Sequence, residues 1–151
     1  MQLRHFPSPI DQLLGRPIFY LAYRDQAPAR LPVFLKFIYS HAAPEDVPRI
    51  MQYLSQLWNT ILSSGTHLEQ RLNDIAQLEW IFYRTNPFGR GAATTGRVLS
   101  LLLQKHIANT HAGFQIEQHF DRYDQLALDL DFSDYLTIRW KRTPLHLSGS
   151  P

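Results

Sequence analysis

The chain contains no cysteine, which excludes a disulfide framework, a thiol nucleophile and any thiolate metal site. No apolar run approaches the roughly 20 residues that cross a bilayer. The opening Met-Gln-Leu-Arg-His-Phe-Pro has no apolar signal core, so the expectation is a cytoplasmic chain or one exported without a signal peptide. Charge is scarce as well. Only 19% of the 151 residues are charged and the formal net charge is +2, too little to point to nucleic acid by itself. What is abundant is apolar and aromatic: 44% and 13% of the residues, the reverse of a disordered composition. A chain of this length buries roughly 70% of its unfolded surface. One domain over residues 1–151 is therefore expected, with no internal repeat.

Proline is crowded into one region. Seven of ten lie in the first 48 residues, each removing a donor and restricting its predecessor, so the first third should be irregular. Pro9 can open a short helix through Leu14 and Gly15 can end it. Ile18–Arg24 and Leu31–His41 are dense in apolar and aromatic residues, and helix is expected for both because Pro32 suits a first turn. No sheet of more than two short strands is expected. From Glu45 to Ser63, Val47, Ile50, Met51, Leu54, Leu57, Trp58 and Ile61 recur at three and four, the helical period.

A second helix, about 66–85, opens with Thr66-His67-Leu68-Glu69, a capping-box pattern, and carries the stripe Leu68, Leu72, Ile75, Leu78 and Phe82. Asn86-Pro87 stops it. A third, about 92–109, carries Val98, Leu101, Leu102 and Ile107. The six residues between them make the two helices neighbours. Short helices are expected near Tyr123–Leu128 and Phe132–Ile138, and the last few residues should be frayed. The fold class is all-α, a compact multi-helix domain around a central helix–loop–helix.

The stretch that departs from core patterning is 86–97. Three of the seven glycines lie between 89 and 96, and no acidic residue occurs between Glu79 and Glu117, while Arg84, Arg90, Arg97 and Lys105 do. A glycine turn entering a helix exposes unpaired amides and the positive end of the helix dipole, and arginine adds a fork that matches phosphate. Gly89, Arg90, Gly91, Ala92, Ala93 and Arg97 are thus a candidate anion site for phosphate or a nucleotide. The alternative is structural: the glycines make a tight turn, Gly96 lets two helices approach, and the arginines pair with the acidic last third. No Walker sequence follows the glycines.

Phe88, Gly91 and Arg97, with Pro87 beside them, resemble the core motif of the Fic family, His-x-Phe-x-(Asp/Glu)-Gly-Asn-Gly-Arg-x-x-Arg between two helices. That family transfers nucleotide or phosphate moieties to protein hydroxyls. The match covers three of eight defining positions. The general-base His is replaced by Asn86, the metal-holding acid by Arg90, and the next three motif residues by Ala92, Ala93 and Thr94. Asn86 cannot take a proton near neutrality and Arg90 repels Mg²⁺, so the resemblance implies a degenerate member without AMP transfer by the usual route. The Trp-containing helix followed by Pro87-Phe88-x-Arg90-Gly91-x-Ala93 is also similar to helical modules of large bacterial virulence proteins.

No other constellation assembles. The seven histidines do not space as a ligand set, no Gly-x-Ser-x-Gly occurs, and Asp129 and Asp131 read as a solvated face. Trp58 and Trp80 fall on core stripes, and Trp140 beside Arg139, Lys141 and Arg142 is a weak candidate for nucleic-acid or membrane contact. No metal and no cofactor is expected, and nucleic acid is a minor reading. The function expected is a non-catalytic interaction module of a bacterial effector or toxin that binds a protein partner, its aromatic-rich first third offering contact surface. The alternative is a degenerate Fic-like nucleotide- or phosphate-binding domain using the 86–97 loop.

Overall fold

In the computed structural model, residues 2–23, 37–39, 41–63, 67–118 and 122–140 are described. In chain order the elements are β1 (Gln2–His5), α1 (Pro9–Leu14), β2 (Tyr20–Tyr23), β3 (Phe37–Tyr39), α2 (Val47–Leu62), α3 (Leu68–Thr85), α4 (Ala92–Thr110), α5 (Tyr123–Asp129) and α6 (Phe132–Arg139). The domain is helical, as expected, and α3 lies at its centre.

The first third holds a correction. Tyr20–Tyr23 and Phe37–Tyr39 are strands rather than helices, and with Gln2–His5 they form an antiparallel sheet in the order β1-β2-β3. Leu21 pairs with Tyr39, and Arg4 pairs with Leu21. Three strands exceed the two expected. Short runs rich in aromatics between prolines favour strand once a partner strand is at hand. Pro32 and the rest of 24–36 lie outside the described residues, as does the tail from Lys141.

Pro9–Leu14 forms the short helix expected, ended by Gly15 at φ 70°. It also carries a capping box. The Ser8 hydroxyl accepts from the Ile10 amide and the Asp11 carboxylate accepts from the Ser8 amide, which satisfies donors that the helix itself leaves open. The box expected at Thr66 lies outside the described residues, and the N-cap of α3 is His67, without a side-chain cap. α2 starts two residues later than expected, with Pro48 in its first turn and the Asp46 amide bonded to the Ala43 carbonyl at 2.9 Å.

α3 is buried around nearly its whole circumference. Thirteen of its eighteen residues are buried, which only a central helix can sustain. α2, α4, α5 and α6 all pack on it. Arg71 near its start reaches the Ile61 carbonyl at the end of α2 and the Thr110 hydroxyl at the end of α4, so both neighbours run antiparallel to α3. Phe6 and Phe19, which a surface role would leave bare, are fully buried, Phe19 edge-on to Trp80 at 5.6 Å. Arg84 donates to the carbonyls of Ala127, Leu128 and Leu130 at the end of α5, and its guanidinium lies over the Phe6 ring at 4.1 Å. A cation at a helix C-terminus satisfies carbonyls that have no partner in the helix. Trp140 is internal too, its indole N–H donating to the Leu72 carbonyl at 3.1 Å, so it is core rather than a surface contact.

Gly96 sets how closely α4 approaches α3. A Cβ there would stand 2.4 Å from Cε1 of Tyr83 and 3.0 Å from Phe82, both rings being buried. In an open helix, alanine in place of glycine stabilises by about 0.8–1 kcal/mol. Here the overpacking, about 1–3 kcal/mol, outweighs that gain. Gly96→Ala should lower stability by roughly 1 kcal/mol in urea unfolding, and a raised midpoint would contradict the packing.

Candidate functional site

The turn between α3 and α4 is made by three left-handed residues, Asn86 at φ 47°, Gly89 at 66° and Gly91 at 78°. Asparagine is among the few residues besides glycine that tolerate this region, and Gly91 is the N-cap of α4. The Gly89 amide bonds the Asn86 carbonyl and the Arg90 amide bonds that of Phe88. The amide of Thr95 bonds the Gly91 carbonyl at 2.9 Å, which leaves those of Ala92, Ala93 and Thr94 outside the α4 ladder. Of the six candidate anion residues, Gly89, Arg90, Gly91 and Ala93 are exposed and Ala92 is buried.

Arg97 is turned inward, away from this group. Its side chain is 12% exposed and stands 3.2 Å from the Glu117 carboxylate, itself 6% exposed. The arginine therefore pairs with an acid of the last third, the structural alternative set beside the anion site. Of the other basic residues between Glu79 and Glu117, Arg84 is buried on α5, while Arg90 and Lys105 are exposed.

Arg97 belongs to the densest polar cluster among the described residues. At its centre, Glu79 of α3 accepts from Arg139 of α6 at 2.7 and 2.8 Å, and from the Tyr135 hydroxyl at 2.8 Å. Ser100 of α4 donates to the same carboxylate. The other edge of the Arg139 fork holds Glu117 at 2.8 and 3.1 Å, and Gln104 donates to Glu117 at 2.7 Å while accepting the Glu117 amide at 3.0 Å. The guanidinium of Arg139 stacks between the rings of Tyr123, 3.8 Å away, and Trp140, 4.2 Å away. Two carboxylates face two arginines. The bidentate charge-assisted bonds of Arg139 are the strong ones, and with Glu79 and Arg139 so satisfied the centre of the cluster is tolerable in the interior. Burial, and then the Glu79 charge, pushes the phenols of Tyr83 and Tyr135 well up, so both stay protonated and Tyr135 remains a donor to Glu79.

Sequence reasoning missed Glu79, Glu117 and Arg139 as a unit. The signal was present in Glu79, a charge between Leu78 and Trp80 and one helical turn from Ile75, Ala76, Phe82 and Tyr83. Its partner, sixty residues away, gave no local cue.

Beside this interior lies an open groove of about 360 Å³ between α2 and α4, floored by α3. Met51, Leu54 and Trp58 of α2, Leu78 and Phe82 of α3, and Leu99 of α4 line it. Apolar surface continues beyond it. Val98 and Leu102 are 50% and 52% exposed, and Phe88, 6.1 Å from the Phe82 ring, is 58% exposed. Comparison with protein-family models, curated proteins and solved structures finds no match to this chain.

Burial works against the ionisation of Glu117, but the hydrogen bond and charge of Arg139, with Gln104 and Arg97, outweigh it and hold its carboxyl below the usual range. A depressed carboxyl contributes stability above its unfolded value and loses it as pH falls through the folded one. Measured against Glu117→Gln, the native chain's advantage should be constant from neutrality to about pH 5.5 and shrink below about pH 4.5. An advantage that grew on acidification would contradict the pairing.

Proposed function

We propose that this domain is a non-catalytic helical module that docks a protein partner on the face formed by α2 and α4. The observation that carries the reading is the run of exposed large apolar side chains, Phe88, Val98 and Leu102, continuous with an open apolar groove. Scattered single hydrophobics need no explanation, but a contiguous patch marks an interaction surface. Trp58, partly exposed in the groove, supplies an aromatic anchor of the kind that dominates interface energetics. At about 360 Å³ the groove is at the small end of ligand pockets. A compact ligand inside it would leave the flanking residues bare, whereas a protein segment would cover both.

The disposition of charge favours the same reading. Glu79, Glu117, Arg97 and Arg139 bond one another in the interior, and Arg84 bonds backbone carbonyls. The degenerate Fic-like alternative asks Arg97 for the anion, and that side chain faces Glu117 instead.

The test is peptide selection. Peptides chosen from a random library on the folded chain should lose binding to Leu102→Glu by tenfold or more, about 1.4 kcal/mol. The unfolding midpoint should stay unchanged, because the position is half exposed. Peptides that bind both chains alike would place the contact elsewhere.

A further inference from the structure

The groove has a sign. Neither α2 nor any residue from 80 to 116 is acidic, so both walls and the α3–α4 turn are free of carboxylates. On the α3 floor, Asp74 is buried and held by Gln70, and Glu79 is buried on Arg139. Asp46, at the N-cap of α2, is buried and paired with Arg16, and Glu45, just before α2, is exposed but belongs to neither wall. Basic side chains do stand on this side: Arg90 in the turn and Lys105 on α4 are exposed, whereas Arg49 is turned to the Leu13 carbonyl. Because α2 and α4 both run antiparallel to α3, their positive N-terminal ends share one end of the groove. At that end the Ala92, Ala93 and Thr94 amides lie outside the helical ladder, beside Arg90 and the exposed Phe88.

We propose, building on the docking face above, that its occupant is an acidic amphipathic helix of a partner protein. Its apolar stripe would lie between α2 and α4, and its carboxylates at the Gly89–Thr94 end. The shape argues for a helix. Met51 to Asn59 along α2 is about 12 Å, or two turns, and a slot of that length between two parallel helices suits the i, i+3, i+4, i+7 anchors of a third. The charge argues for acid. A basic helix would meet Arg90, Lys105 and the N-terminal end of α4 without a single carboxylate on either wall, and complementarity of this kind selects partners more than it adds affinity.

The experiment compares two synthetic helical peptides of about four turns, identical in their leucine stripe, one flanked by glutamate and the other by lysine. Binding to the full chain is read by Trp58 fluorescence and by amide shifts of residues 92–102, with sodium laurate as a third probe. The acidic peptide should bind at least about tenfold tighter at low salt, and the ratio should fall toward one near 1 M salt. Arg90→Glu should narrow the ratio, and Leu102→Glu should weaken both peptides. A lysine peptide that binds as tightly overturns the charge assignment and leaves the docking face standing. If neither peptide shifts these residues at millimolar concentration, both are overturned. Laurate that saturates the groove at lower concentration than the acidic peptide would assign it to a lipid. Self-association abolished by Leu102→Glu would assign the face to a second copy, and either result overturns the proposal.

Discussion

Glu79 and Arg139 meet in the interior, one from the middle of the central helix and the other from the last turn of α6, at side-chain exposures of 1% and 0%. Removing two charges from water costs several kcal/mol per ion, and the cost is offset only if every oxygen and N–H finds a partner. That condition recruits the rest of the domain. Tyr135 comes from the same helix as Arg139, Ser100 from α4, and Glu117 from the segment beyond α4. α3, α4 and α6 must therefore all be in place before the whole set of these groups is satisfied. A well-packed apolar set of the same volume is often as stable, so the network's contribution lies in the one arrangement it permits.

Orientation of α4 connects this interior to the surface. With Ser100 on Glu79 and Gly96 against Tyr83, the helix has one rotational setting. The 3.6-residue period then carries Val98 and Leu102 outward and Leu99 into the groove. The apolar face proposed as the docking surface is in this sense a consequence of the buried charge. A helix free to roll by one residue would turn Leu102 inward and expose Ser100.

Much of the helical fold is legible in the residues themselves. Pro9 and Gly15 bracket α1, Asn86-Pro87 ends α3, and the period of three and four along α2 and α3 marks their buried faces. Strand at Tyr20–Tyr23 and Phe37–Tyr39 was not legible, because a short apolar run has the same composition as a buried helix and its pairing partner is distant. The 86–97 stretch was legible as a turn with unusual backbone freedom, and Gly89 and Gly91 do adopt left-handed angles. The direction of the Arg97 side chain was not, since it depends on Glu117, twenty residues on and beyond the end of α4. Basic residues with no acid nearby in sequence can still find one in space, which is how Arg97 and Arg139 come to share Glu117.

The most direct test of this account is a double-mutant cycle on Glu79 and Arg139, with Glu79→Gln, Arg139→Met and the pair compared by urea unfolding. Each single change leaves a charge buried without its partner and should cost about 3–5 kcal/mol. The pair should cost well below the sum, with a coupling on the order of 2 kcal/mol. Single losses below about 1 kcal/mol, or strict additivity, would contradict the claim that this pair organises the domain.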